Sequence, residues 1–92
     1  MIPEEVKKKF EDAIAKDRKN VWAGVNQTIR MVHSKSAKIV LVAEDTNPKE
    51  LVTPLVQEVK LKKIPHYFGT LDEIGRISGC PRPAAAACMI KG

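Results

Sequence analysis

Apolar residues recur at helical spacing from the start of the chain. Val6, Phe10, Ala13 and Ile14 follow Pro3, and Glu4 and Glu5 fall in a first turn where the helix dipole favours acids. This pattern predicts a helix from Pro3 to Lys16. A polar stretch, Asp17 to Asn20, leads through Trp22 to Gly24, after which Val25, Ile29 and Val32 repeat at i, i+4 and i+7. They predict a second, amphipathic helix ending near Ser34. Between Lys38 and Ala43 the chain is almost continuously apolar and rich in β-branched residues, as expected of a central strand covered on both faces. Asn47 followed by Pro48 reads as an N-cap with proline at N1, and Glu50 sits where a capping box places it, so a helix is expected to begin there. Pro54 lacks an N–H and clashes with a preceding turn, so that helix is expected to break, with Thr53 and Pro54 opening a new segment through Leu55, Val56 and Val59.

The remaining third follows the same logic. After the basic stretch Lys60 to Lys63, Ile64 to Phe68 predicts a short strand, and Thr70 with Glu73 forms a capping-box pair opening a helix through Ile74 and Ile77 to Gly79. The loop Gly79 to Pro83 feeds a last apolar run, Ala84 to Ile90. Its alanines prefer helix, whereas its position after a proline-rich loop favours a buried strand. No internal repeat or linker interrupts the chain. Alternating helices and strands imply an α/β sandwich with helices on both faces of the sheet.

Composition narrows the function classes. With 43% apolar and 29% charged residues and no long polar tract, the 92-residue chain has the makings of one modest core and none of the signature of disorder. Sixteen Lys and Arg against eleven Asp and Glu leave a net charge of +5, which favours a polyanionic partner if the excess lies on one face. Charge alone fits a solvated basic surface equally well. Cys80 and Cys88 are too few for a disulfide framework and have no metal-ligating neighbours at a recognised spacing, so reduced thiols are expected. The apolar runs fall well short of the roughly 20 residues that span a bilayer, and the charged N-terminus lacks a signal-peptide apolar region, so the expectation is a soluble, cytoplasmic protein with no membrane partner. His33 and His66 have no Ser, Cys or paired carboxylate at a catalytic spacing, and Glu44 and Asp45 end a strand without a glycine-rich phosphate loop, which leaves them to shape a turn. No catalytic residue, metal site or cofactor is therefore expected.

Five short segments, in order, carry a resemblance: Ala23 to Arg30 (AGVNQTIR), Val42 to Pro48 (VAEDTNP), Ile64-Pro65, Ile74 to Gly79 (IGRISG) and Arg82-Pro83. Together they resemble the superfamily of the archaeal ribosomal protein L-seven-Ae, its eukaryotic box C/D relative and the ribosomal protein L-thirty-e, over about residues 4 to 92. The resemblance implies an α/β fold, a three-layer α-β-α sandwich with a mixed, about four-stranded sheet, in a single RNA-binding domain over residues 1–92. It also implies recognition of kink-turns, RNA duplexes bent sharply at a bulge beside sheared G·A pairs. The partners would be structured RNA in the large ribosomal subunit, in box C/D or H/ACA guide ribonucleoproteins or in ribonuclease P, together with other proteins of those particles.

The residues that match suit such a task. Gly24 lets backbone approach RNA closely, and the helix start behind it presents free N–H groups to phosphate. Asn26 and Arg30 lie one turn apart beside Gln27, opposite the apolar stripe, where amides can read guanine edges and Arg30 can pair with phosphate or base. An Asn cap with solvated neighbours is the other reading. Gln27 stands where relatives have glutamate, so it accepts without charge assistance. Asn47 matches a position near the extruded nucleotide, or serves as a helix cap, and Leu51 matches the apolar position packed under that nucleotide. Arg82 matches a basic loop residue, or faces solvent, while Cys80, Pro81, Pro83 and Ala84 would offer apolar contact to unstacked bases. Leu71 replaces a lysine of several relatives, and the connection before it is one residue shorter, as in the L-thirty-e branch. Lys7, Lys8 and Lys9 cover more than one helix face, as solvated surface or peripheral RNA contact. The alternative function is a protein-interaction or stress-regulatory module on the same fold, which the basic balance and the presence of Gly24, Asn26 and Arg30 disfavour.

Overall fold

The computed structural model describes residues 2–90; Met1, Lys91 and Gly92, at the ends of the expected domain, lie outside the described residues. Helix α1 spans Glu4–Lys16, capped by extended Pro3, and a 3-10 turn over Arg18–Asn20 follows, with the Asp17 carboxylate accepting from the Lys19 N–H. Strand β1 is Val21–Ala23, α2 is Val25–His33, β2 is Ala37–Ala43, α3 is Thr53–Leu61, β3 is His66–Gly69, α4 is Leu71–Ile77 and β4 is Ala86–Ile90.

The four strands form one mixed sheet in the order β1-β4-β2-β3, with β2 and β3 parallel and the other pairs antiparallel. Side chains alternate across it as the pleat requires. Ile39, Leu41 and Ala43 of β2 and Ala87 and Met89 of β4 pack with Val6 and Phe10 of α1 and Ile74 of α4. Val40 and Val42, with Ala86 and Cys88, pack on the opposite face against Val32 of α2 and Leu55 and Val59 of α3. This is the expected three-layer α-β-α sandwich. Among the described residues no helix is long and apolar enough to cross a membrane.

Several local expectations need correction. Val21–Ala23 was not read as a strand, yet it pairs along its length with β4, Trp22 opposite Cys88. Asn47 does not cap a helix. The residues after it form only a 3-10 turn, Lys49–Leu51, whose N-cap is Pro48 in extended conformation with no side-chain capping bond. The true α3 begins at Thr53, where Pro54 falls in the first turn and its missing N–H costs no hydrogen bond. Strand β3 starts at His66 rather than Ile64, and β4 at Ala86 rather than Ala84. The Thr70–Glu73 capping box is present in both directions, each bond 3.1 Å.

Sheet topology decides what lies near what. The pairs Ala23 with Ala87, Val42 with Ala86 and Ala43 with Gly69 put the C-terminal ends of β1, β2 and β3 and the N-terminal end of β4 at one end of the sheet. The four connections that follow or precede them therefore share that end.

Candidate nucleic-acid interface

Gly24 connects β1 to α2 at this end. Its φ of 107° lies where L side chains are rarely found, so glycine meets a backbone need. A Cβ there would meet nothing within 4 Å, and the space in front of the turn is open to a ligand. The turn is held from behind. The Gly24 N–H donates to the Ala86 carbonyl at 2.8 Å, and its own carbonyl accepts from the Thr28 N–H at 3.0 Å and the Thr28 hydroxyl at 2.7 Å. Buried Thr28 is thus a positioning residue that the sequence reading passed over; a threonine four residues after a junction glycine is the signal it left.

Gly24 is itself the N-cap of α2, so Asn26 is a residue of the helix and not its cap. The first turn leaves the N–H groups of Val25, Asn26 and Gln27 without intrahelical acceptors. Asn26 and Arg30 are exposed, Gln27 is half-buried, and none of the three side chains hydrogen-bonds to another described residue. They form a row of free amide and guanidinium donors behind a helix start, suited to anionic oxygen and to base edges.

The α4–β4 loop closes the other side. An open groove of about 340 Å³ is lined by Gly24 and Val25 from the β1–α2 turn and by Cys80, Pro81, Arg82, Pro83 and Ala84 from this loop. Pro81, Arg82 and Pro83 are exposed, whereas Ala84 is only 8% exposed and belongs to the core under α4, so Pro81 and Pro83 supply the loop's exposed apolar surface beside Arg82. Three backbone bonds hold the loop: Cys80 N–H to Gly75 carbonyl at 2.8 Å, Gly79 N–H to Arg76 carbonyl at 3.2 Å and Ala84 N–H to Leu71 carbonyl at 3.1 Å. The first two make a Schellman ending to α4. The Arg18 guanidinium adds a bond to the Gly79 carbonyl at 3.2 Å. Gly75 of α4 lies flush under the loop, since a Cβ there would stand 2.4 Å from the Arg82 carbonyl oxygen. Gly75 and Arg76, which lines a small groove with Arg82, fall within the Ile74 to Gly79 segment of the resemblance but carry no site role there.

Asn47 and Leu51 stand at the same end of the sheet but outside that groove. Both are exposed, Leu51 at 53%, an apolar side chain offered to solvent. Their loop is tied to α4 by Asp45, whose carboxylate accepts from the Leu71 N–H at 2.8 Å. Sequence order alone had assigned Asp45 to the turn.

Among the described residues the other titratable groups make no reactive constellation. His33 faces Glu58 at 3.3 Å on the surface, and His66 lies 3.1 Å from the Ile64 carbonyl. Burial pushes the Cys88 thiol up to about 11, against partial relief from the Thr28 hydroxyl and the Trp22 backbone, so it stays protonated at neutral pH. Both cysteines are free, and no group of three or more His, Cys, Asp or Glu able to hold a metal occurs among the described residues.

Comparison with known proteins places this architecture. A 15.5kD RNA binding protein of Giardia lamblia has a similar structure, with a TM-score of 0.81 at 23% identity, covering 100% of this chain and 79% of that one. At that identity the likeness speaks for the fold. A family model described as the ribosomal protein L7Ae/L30e/S12e/Gadd45 family matches residues 5–92, nearly the whole chain, and the protein belongs to that family.

Proposed function

We propose that this protein binds structured RNA and recognises kink-turns through the sheet end that gathers Gly24, Asn26, Gln27, Arg30, Arg82 and Pro83, with Asn47 and Leu51 at its flank. The observation that carries this reading is the open groove between the Gly24 turn and the Arg82 loop, continued along α2 by unpartnered Asn26 and Arg30. Cations and free N–H groups suit phosphate, amides suit guanine edges, and exposed Leu51 and Pro83 suit an unstacked base. The family and the RNA-binding structural neighbour support the reading. The particle served is a ribosome, a box C/D or H/ACA guide ribonucleoprotein or ribonuclease P. A calorimetric titration with a kink-turn RNA, beside a duplex of the same composition lacking the bulge, tests it. Tighter binding to the kink-turn is expected, and equal affinity refutes kink-turn recognition.

A further inference from the structure

A second groove, of about 530 Å³, lies at the other end of the sheet. Lys9, Asp12, Ala13 and Lys16 of α1 form one wall, and Asn20, Lys38 from the start of β2, and Met89 and Ile90 from the end of β4 form the rest. The lysine run of α1 is divided by the fold. Lys7 is ion-paired with Glu4 at 3.4 Å and Glu73 at 3.7 Å, and Lys8 stands among Glu4, Glu5 and Glu11, while Lys9 turns to the groove. Lys9, Lys16 and Lys38 are all exposed, and none is ion-paired with a carboxylate among the described residues.

We propose that this groove holds a single-stranded RNA segment flanking the structured element bound at the Gly24 end. Helical rise puts Lys9 and Lys16 about 10 Å apart along α1, and Lys38 faces them, so the three cations line a path for consecutive phosphates. Met89, in the core under α1, closes the bottom of the path, and Ile90 at the end of β4 borders it. Asp12 and Asn20 are set between the cations. The Asn20 amide N–H donates to the Ala13 carbonyl at 3.1 Å, which leaves its oxygen, like the Asp12 carboxylate, as an acceptor. A nucleotide offers both the anion for the lysines and the base N–H donors for Asp12 and Asn20. The inference rests on the RNA-binding reading.

The experiment compares a kink-turn RNA with the same RNA carrying a single-stranded tail, placed on each end in turn and long enough to cross a body 32 Å in its longest dimension. The tail is expected to tighten binding by the wild-type protein. In the variant Lys9→Gln/Lys16→Gln/Lys38→Gln that gain should vanish, with a log–log salt slope flatter by about 2 for three lost phosphate contacts to a single strand. Its affinity for the untailed kink-turn should stay at the wild-type value. A variant of equal charge, Lys8→Gln/Lys35→Gln/Lys60→Gln, should keep the gain. A tail that adds nothing for the wild type, a gain that survives in the first variant, or an equal loss in the second overturns the proposal. So does displacement of the tail by oligoglutamate as readily as by oligouridylate of the same charge, which assigns the groove to an acidic protein. Should the kink-turn bind no better than plain duplex, kink-turn recognition fails on its own, and the tail's gain is then read on a duplex carrying the same tail.

Discussion

Replacing Gly75 by alanine tests whether α4 sets the position of the Arg82 loop. The added Cβ would stand 2.4 Å from the Arg82 carbonyl oxygen and 3.1 Å from the Pro83 Cα, both backbone atoms that no rotamer change can move. An unstrained carbon–oxygen approach needs about 3.3 Å, so the loop must shift by roughly 1 Å. Overpacking of this kind costs about 1–3 kcal/mol, and the better helix propensity of alanine offsets at most about 1 kcal/mol. The net loss, about 1–2 kcal/mol, lowers Tm by roughly 4–16 °C in a domain of this size. The shift also disturbs the Cys80–Gly75 and Ala84–Leu71 bonds that hold the loop beside Gly24. Kink-turn affinity is expected to fall about tenfold, with the protein held well below its lowered Tm during the titration, although Gly75 is buried and touches no RNA in the proposed complex. Thermal unfolding followed by circular dichroism and calorimetric titration at low temperature read the two effects. An unchanged or raised Tm would show that the loop does not lie on Gly75, and a lowered Tm with full RNA affinity would show that loop position is irrelevant to binding.

The other predictions concern single side chains. Asn26→Ala should weaken kink-turn binding by about 1–3 kcal/mol with stability nearly unchanged, because the exposed amide bonds to no described residue; unfolding with binding spared would make Asn26 structural. Gln27→Glu should tighten kink-turn binding through a charge-assisted acceptor, and weaker binding in the titration would show that phosphate repulsion prevails. Arg82→Ala should flatten the salt slope for kink-turn binding by about one unit if its guanidinium sits on phosphate, or leave the slope and reduce selectivity over duplex if it stacks on a base; no change in either removes it from the interface. Thr70→Ala breaks the capping box of α4 and should cost about 1 kcal/mol in denaturant unfolding, and a variant of wild-type stability would show the two 3.1 Å bonds to be without net value.

What the sequence made legible was what local chemistry decides. The i, i+4, i+7 stripe of α2, the continuous apolar run of β2, the capping pair Thr70 and Glu73 and the new helical segment opened by Thr53 and Pro54 all depend on residues close in the chain, and each is found in place. Features that depend on distant pairing were not legible. Val21–Ala23 is too short to show alternation and becomes a strand because β4 lies beside it; the alanine-rich run of β4 is expected as a buried strand from its place after the proline-rich loop, and β1 and β2 flank it as such. Asn47, Pro48 and Glu50 spell a helix start, yet Pro48 keeps a ψ of 154° and the helix waits for Pro54. Gly75 reads in the sequence as a weak helix residue; its reason, a loop against its Cα, exists only in three dimensions. The candidate interface divides the same way. Gly24, Asn26 and Arg30 are neighbours in sequence, but nothing in the sequence alone puts Arg82 across a groove from Gly24.

That juxtaposition follows from the position of β4. Because β4 enters the sheet between β1 and β2 and antiparallel to both, its first residues arrive where β1 and β2 end, and the loop before it must lie against the Gly24 turn. The Gly24 N–H bond to Ala86 fixes the two at backbone level. Helix α4 then braces the remaining connections, holding the Arg82 loop through Gly75 and Leu71 and the Asn47–Leu51 loop through the Asp45 carboxylate on the Leu71 N–H. Leu71 takes part in both ties, with its N–H to one loop and its carbonyl to the other. The proposed RNA surface is therefore carried by loops whose relative placement depends on seven residues of a helix that contributes no contact of its own to the proposed set. Substitutions in α4 should accordingly change RNA selectivity through the geometry between the loops, and do so most where they disturb the backbone at Leu71 or Gly75.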